Sequence, residues 1–147
     1  MLVTRTQLAK LIPHEGDMCL LDGVLRWDAV SIQCVSRSHR DARNPLRTEG
    51  GLRALCGIEY AAQAMAVHGA LAGGRNTRPR AGYLASLRDI VCGVEWLDRL
   101  DGELIVDAER LAGSAGPVIY RFSMRVGEAE VLRGRATVVL DAGDAAP

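Results

Sequence analysis

A continuous apolar stretch, LRALCGIEYAAQAMAVHGALAGG at residues 52–74, constrains the fold more than any other part of the sequence. Alanine, the best helix former, dominates the stretch, and its two final glycines are residues that commonly end a helix. Its only charged residues are Arg53, near the start, and Glu59. A helix on the protein surface would carry a polar stripe, and this one has none. We therefore predict a central helix of about twenty residues, about 30 Å long, that other structure covers on all sides.

A transmembrane span is the competing interpretation of this stretch. Glu59, Gln63 and His68 are costly in hydrocarbon, and alanine is a weak driver of membrane insertion, so we favour the buried helix and expect no membrane partner. The start of the sequence lacks the apolar core of a signal peptide. The cysteines at positions 19, 34, 56 and 92 are too widely spaced for the close pairs typical of zinc sites. We therefore expect a cytoplasmic protein with reduced, mostly buried cysteines and with neither a metal nor a cofactor.

The rest of the sequence has the alternating pattern of half-buried strands. Residues 30–38 alternate, with Val30, Ile32 and Cys34 on one side, and residues 39–51 follow as a loop. Residues 4–12 have helical spacing and are followed by Pro13, which predicts a short N-terminal helix. Further strands are predicted in AGYLASLRDIVCGVEWL, ELIVDAERL, VIYRFSMRV and VLRGRATVVL. The clearest of them is VIYRFSMRV, whose inward-facing residues are Val118, Tyr120, Phe122, Met124 and Val126.

These elements predict an α+β fold in which consecutive hairpin-connected strands form a curved antiparallel sheet around one long helix. The 147 residues suit a single domain, residues 1–140, followed by a frayed tail at 141–147. An open sheet leaves unpaired edges, which pairing between two subunits would remove, so we expect a dimer. Basic and acidic residues number 18 each, which excludes nucleic-acid binding by bulk charge, and no nucleic-acid partner is expected.

Glu59 is the residue that most strongly suggests chemistry. A carboxylate within an otherwise apolar helix must be paired, protonated or exposed in a cleft. Gln63 lies one turn further along the same helix face, where its amide could hold the carboxyl group in place. The structural alternative is a glutamate that reaches solvent or that pairs with an arginine such as Arg88.

A histidine close to Glu59 would complete an acid–base pair, but the spacing of the three histidines does not choose among them. His14 follows Pro13, where the N-terminal helix is expected to end. His68 lies nine positions after Glu59 and points to the opposite helix face, which is more typical of a hydrogen-bonded core residue. His39 lies at a strand end, where we expect it to be solvated.

Four segments of the chain, in the same order, resemble the 3-hydroxyacyl-acyl-carrier-protein dehydratases of fatty acid synthesis: LIPHEGDMCLLDGVL, GIEYAAQAMA, AGYLASLRDI and DGELIVDAERL. The resemblance covers nearly the whole chain and implies the hotdog fold, in which a sheet wraps one long helix and dimers form a continuous sheet. Glu59 and Gln63 match the family's catalytic acid and its neighbour. The family's catalytic histidine would stand fourteen positions before the acid, where this sequence has Pro45. In this respect the chain resembles a divergent bacterial branch, associated with aryl-polyene pigment synthesis, that lacks the usual histidine.

The resemblance implies a lyase that removes water from a 3-hydroxyacyl thioester on an acyl carrier protein or coenzyme A, in fatty acid or polyketide/aryl-polyene-type synthesis. It implies that Glu59 protonates the departing hydroxyl and that Gln63 orients it. His14 is the candidate base, and His68 is the second candidate. A substrate-binding role is assigned to the residues at the helix start, because N–H groups at a helix N-terminus stabilise a developing oxyanion. His68 is also assigned to substrate binding. The residues at the helix start are Ala54, Leu55 and Cys56.

The resemblance leaves other functions and assemblies open. The missing loop histidine is consistent with a non-catalytic hotdog subunit that pairs with an active dehydratase, and the same fold also supports thioesterases. The acyl chain would lie in an apolar tunnel at an interface between subunits. The second subunit would be either another copy of this chain or a different hotdog protein.

Overall fold

The structure, a computed structural model, describes residues 1–73, 83–113 and 116–139. The described part consists of a seven-stranded antiparallel sheet, one short and one long α-helix, and connecting turns. The helices are α1 (Arg5–Leu8) and α2 (Gly57–Ala72). The strands are β1 (Val3–Thr4), β2 (Gly23–Trp27), β3 (Ser31–Ser36), β4 (Tyr83–Cys92), β5 (Leu104–Ala112), β6 (Pro117–Val126) and β7 (Ala129–Val139). Their order in the sheet is β1-β2-β3-β5-β6-β7-β4.

Helix α2 is mostly buried, as its composition predicts, but the stripe formed by Ile58, Ala62, Ala66 and Gly69 is only half-buried. It packs against β3, β5, β6 and β7 on the inner face of the curved sheet, and none of residues 57–71 is exposed. Gly57 allows the helix start to approach the sheet closely, since a Cβ atom there would lie 2.9 Å from the Met124 Cε atom. The α-helix is shorter than predicted because a 3-10 turn, Ala54–Cys56, precedes it. In the described part of the chain no helix has the length and hydropathy needed to span a membrane.

The alternating pattern correctly predicts the inner face of the sheet, with one exception. All five inward-facing residues predicted in β6 are buried, as are Ile32 and Cys34 in β3. Val30, predicted to join them, is 47% exposed. It lies in the turn between β2 and β3, where the Asp28 carboxylate accepts the N–H groups of Val30 and Ser31 and ends the strand pattern.

Strand β4 departs from the predicted succession of hairpins. It does not pair with β5: β3 pairs with β5, and β4 lies at the far edge of the sheet beside β7. It also ends at Cys92, which is exposed, instead of continuing to Leu97. Asp89 adopts a φ of 56°, and the register with β7 shifts at two places. Such irregularity is tolerated at a sheet edge, where one side of the strand has no neighbouring strand.

The N-terminal helix is also shorter than predicted. The hydroxyl of Thr4 accepts the Gln7 N–H while the Gln7 side chain accepts the Thr4 N–H, so a capping box starts α1. The helix nevertheless ends at Leu8, five residues before Pro13. Residues 141–147, predicted to form a frayed tail, lie outside the described residues, as does Leu140.

Candidate active site

The structure brings His14 and Glu59 together. The Nε2 atom of His14 lies 3.1 Å from the Oε1 atom of Glu59. Glu59 stands in the first turn of α2, and His14 lies in the loop that follows Pro13. Their side chains are 26% and 35% exposed, respectively, so the pair is accessible from one side while the rest of it is covered. An imidazole and a carboxyl group at this distance can exchange a proton directly, which is the requirement for acid–base chemistry.

The two nitrogen atoms of the His14 ring differ in their surroundings. The Nε2 atom contacts Glu59, whereas Nδ1 is buried and has no hydrogen-bond partner among the described residues. A group that reacts with a substrate must be reachable, so Nε2 is the nitrogen that can take part in chemistry. The reactive edge of the ring is therefore the one that faces the carboxyl group.

The sequence suggested that Gln63 holds the Glu59 carboxyl group in place. In the structure, Gln63 instead fixes the segment that follows His14. Its side chain is fully buried. The Nε2 atom donates to the Met18 carbonyl at 2.7 Å, and the Oε1 atom accepts the Leu20 N–H at 2.9 Å. Both ends of the amide are used on backbone groups of one short segment, residues 18–20. Gln63 thus connects the helix that carries Glu59 to the segment that follows His14.

A buried polar cluster holds the same segment from the other side. The Leu20 carbonyl accepts the hydroxyl groups of Ser36 and Ser38 at 2.6 and 2.8 Å. The Tyr60 hydroxyl lies 2.7 Å from Ser38 Oγ and accepts the Asn44 amide N–H at 2.8 Å. Burial raises the pKa of Tyr60 to about 12, so the phenol stays protonated. The cluster was not predicted from the sequence, whose one signal for it is a tyrosine hydroxyl within an apolar helix, which needs a partner when buried.

The backbone at the start of α2 offers one free donor instead of three. The Ala54 N–H donates to the Glu95 carbonyl at 2.9 Å, and the Cys56 N–H donates to the Arg53 carbonyl at 3.0 Å. The Leu55 N–H has no acceptor among the described residues, and the Leu55 side chain is 55% exposed. Of the three predicted substrate-binding amides, only that of Leu55 is therefore free to bind an oxygen atom.

His68 is not part of this site. Nine residues of helix place it about 13 Å from Glu59 along the axis of α2. Its Nε2 atom donates to the Asp28 carbonyl at 2.9 Å, and its Nδ1 atom accepts the Tyr120 hydroxyl at 2.7 Å. Burial lowers the pKa of His68, which keeps the ring neutral. With both nitrogens engaged in the core, His68 has none left for substrate binding or for catalysis.

The prediction that His39 is solvated is wrong. Its side chain is fully buried, and its Nε2 atom donates to the Leu100 carbonyl at 3.1 Å. The 3-10 turn Ser38–Arg40 directs this ring inward instead of continuing the strand into solvent. Burial also lowers the pKa of His39.

The described residues contain no group of three metal-ligating side chains close enough to hold a metal ion. A depression of about 570 Å³ lies on the outer face of the sheet, between charged side chains such as Arg26, Asp107 and Arg121. His14 and Glu59 do not line it. The apolar tunnel expected for an acyl chain therefore stays a prediction about the assembled protein.

Comparisons with known proteins relate the chain to one family and to several solved structures. The model of the ApeP-like family, described as ApeP dehydratase, matches residues 6–146. No curated protein matches the sequence. A solved structure of the dehydratase heterocomplex ApeI:P from Xenorhabdus doucetiae is 19% identical, with a TM-score of 0.80 over 94% of this chain and 93% of that one.

Two further solved structures share the fold at lower similarity. A sigma28-regulated virulence protein from Campylobacter jejuni is 12% identical, with a TM-score of 0.63 over 92% of this chain and 86% of that one. A hypothetical thioesterase with coenzyme A from Streptococcus pneumoniae is 11% identical, with a TM-score of 0.58 over 80% and 83% of the two chains. At these identities the likeness concerns the fold, which is the predicted hotdog fold.

Proposed function

The chain belongs to the ApeP-like dehydratase family, and from this premise we propose that it dehydrates 3-hydroxyacyl thioesters carried by an acyl carrier protein in aryl-polyene-type synthesis. The observation that carries the proposal is the 3.1 Å contact between His14 Nε2 and Glu59 Oε1. It supplies a base and an acid at one partly open position, which is what an elimination of water needs. The proposal keeps the cytoplasmic location expected from the sequence.

The proposed reaction uses the pair in its singly protonated state, with the proton on Glu59. Neutral His14 removes the proton on the carbon next to the thioester carbonyl, and the Leu55 N–H stabilises the enolate oxygen. The enolate then re-forms the carbonyl and expels the β-hydroxyl, which takes the proton of Glu59 and leaves as water. Transfer of a proton from His14 Nε2 to Glu59 Oε1 across their contact restores the starting state.

The test is turnover of a 3-hydroxyacyl-carrier-protein by the purified chain and by its Glu59→Gln variant. We expect an enoyl product from the wild type and a loss of about 10²–10⁴-fold in kcat from the variant, since the amide cannot supply the proton. Glu130→Gln is the matched control, because Glu130 is an exposed partner of Arg133 on β7. Both variants should unfold at the wild-type temperature.

Other products would support the alternative functions. Free acid would indicate a thioesterase, and no change, alone or with a partner subunit, would indicate a structural subunit. Wild-type kcat in Glu59→Gln would remove Glu59 from the mechanism.

We also propose that the protein works together with a second hotdog subunit. The similar structure from Xenorhabdus doucetiae is the dehydratase heterocomplex ApeI:P. In this chain β4 is an edge strand, and its Leu87 and Val91 side chains are 40% and 41% exposed. An unpaired edge with apolar side chains favours pairing with another sheet. Either a second copy or a different subunit would satisfy this edge.

A further inference from the structure

We propose that His14 and Glu59 act within one chain, so that the neighbouring subunit provides a wall of the substrate tunnel but no reacting group. This inference rests on the proposed function, because it concerns which chain supplies the acid and the base. Its first support is the contact itself: the two side chains meet at 3.1 Å within a single protomer.

The loop that carries His14 is tethered to its own chain on both sides. Before the loop, Ile12 is fully buried in the core. After it, the Gly16 carbonyl accepts the Arg5 guanidinium at 3.2 Å. Only three residues separate these two anchors, and such a length of chain spans at most about 10–14 Å even when fully extended. Pro13 restricts the backbone of this short loop further.

The segment beyond Gly16 strengthens the tether. Arg5 also donates to the Leu21 carbonyl at 3.3 Å, and Gln63 holds Met18 and Leu20 through both ends of its amide. Because Gln63 and Glu59 lie one turn apart on α2, the same helix fixes the carboxyl group and the backbone that positions the imidazole. The loop therefore cannot carry His14 to a neighbouring subunit without breaking these intrachain bonds.

The chain has no second histidine to offer to a neighbour. It contains three histidines, and all three lie in the described residues. His39 and His68 are fully buried, and each donates its Nε2 proton to a backbone carbonyl of its own chain. His14 is the only histidine with a partly exposed side chain. In an assembly of identical chains, the imidazole next to each Glu59 must therefore be His14 of the same chain.

Mixed dimers test this assignment. One full-length chain carries His14→Ala and one tag, a second carries Glu59→Gln and another tag, and two successive purifications isolate dimers that contain both. If both groups of a site come from one chain, every site lacks one group, and the mixed dimer is as inactive as the single variants. If the groups come from different chains, one of the two sites is intact, and about half of the wild-type turnover returns. A wild-type pair with the two tags is the control.

The outcomes separate this inference from the proposed function. Turnover near the wild-type level in either single variant would contradict the roles of His14 and Glu59 themselves. Recovery in the mixed dimer, with both single variants inactive, would contradict only the assignment to one chain. If the chain acts as a monomer, or only together with a different hotdog subunit, inactivity of both single variants in that active form supports the assignment. Activity of His14→Ala in such a complex would show that the other subunit supplies the base.

Discussion

The three histidines of this chain lie in two kinds of environment, which give them different chemistry. His14 is partly exposed and contacts a carboxyl group, whereas His39 and His68 are fully buried and bonded to backbone carbonyls. A carbonyl oxygen only accepts, so the Nε2 atoms of His39 and His68 must carry a proton, and burial disfavours a second one. The two buried rings are therefore structural groups that stay neutral near pH 7.

The buried histidines predict a stability that depends on pH. Burial lowers the pKa of His39 and of His68 below their ordinary value of 6.5. At pH values between the lowered and the ordinary pKa the unfolded chain binds more protons, so the free energy of unfolding rises with pH. We expect it to be at its full value above about pH 6.5 and to fall as the pH decreases towards about 5, where carboxyl groups contribute little.

Denaturant titrations across this pH range measure the effect. The double variant His39→Gln/His68→Gln is expected to be less stable but to show a flatter dependence on pH. An equal slope in the wild type and in the double variant would assign the dependence to other groups.

Gln63 predicts a coupled loss of stability and activity. Gln63→Leu removes the partners of the Met18 carbonyl and the Leu20 N–H, at a cost of about 1–3 kcal/mol for each unpaired group. We expect kcat to fall as well, with a smaller change in KM, because the loop that carries His14 loses one of its anchors. Gln33→Leu is the matched control, since the Gln33 amide bonds Asp107 across β3 and β5 in a partly exposed position. Denaturant unfolding and steady-state kinetics on both variants provide the measurement, and a wild-type kcat in Gln63→Leu would contradict a positioning role.

At the scale of elements, local patterns predicted α2 and the inner faces of β3 and β6, because burial follows the period of each element. The position of β4 could not be predicted in this way. Which strands pair depends on contacts between distant parts of the chain, such as that of Gln33 with Asp107, and alternation within one strand carries no record of its neighbour. The early end of α1 is a similar case, since the sequence up to Pro13 permits further turns that the tertiary structure does not use.

The candidate site likewise has one part that the sequence predicts and another that depends on tertiary contacts. Glu59 stands out in the sequence because a carboxylate within an apolar helix is costly unless it is paired, protonated or exposed. His14 could not be chosen over His68 from spacing, because the loop after Pro13 meets α2 only in the folded chain. The free Leu55 N–H is a further example: the use of the Ala54 N–H depends on Glu95, which lies 41 positions away. Sequence thus indicates which groups are reactive, while tertiary contacts decide which of them are free.

In the described part of the chain, β4 forms a sheet edge that lies outside the strands packed against α2. Helix α2 packs against β3, β5, β6 and β7, and β4 lies beyond them. Leu87 is aligned with the buried Ala136 of β7 but is itself 40% exposed. A second subunit at this edge would bury the Leu87 side chain. Its sheet would continue the inner face of this sheet, close to the start of α2, where Glu59 lies.

Leu87→Arg tests whether this edge is the interface. A charge placed there would have to lose its water on association, so we expect the dissociation constant of the assembly to rise at least about tenfold. Leu111→Arg is the control, since Leu111 has the same 40% exposure on β5, away from the β4 edge. Sedimentation at several protein concentrations gives the dissociation constants, and equal values for the two variants would exclude β4. Under the proposal that each chain supplies its own acid and base, a dissociated Leu87→Arg chain should lose affinity for the acyl chain more than turnover, and KM should rise further than kcat falls.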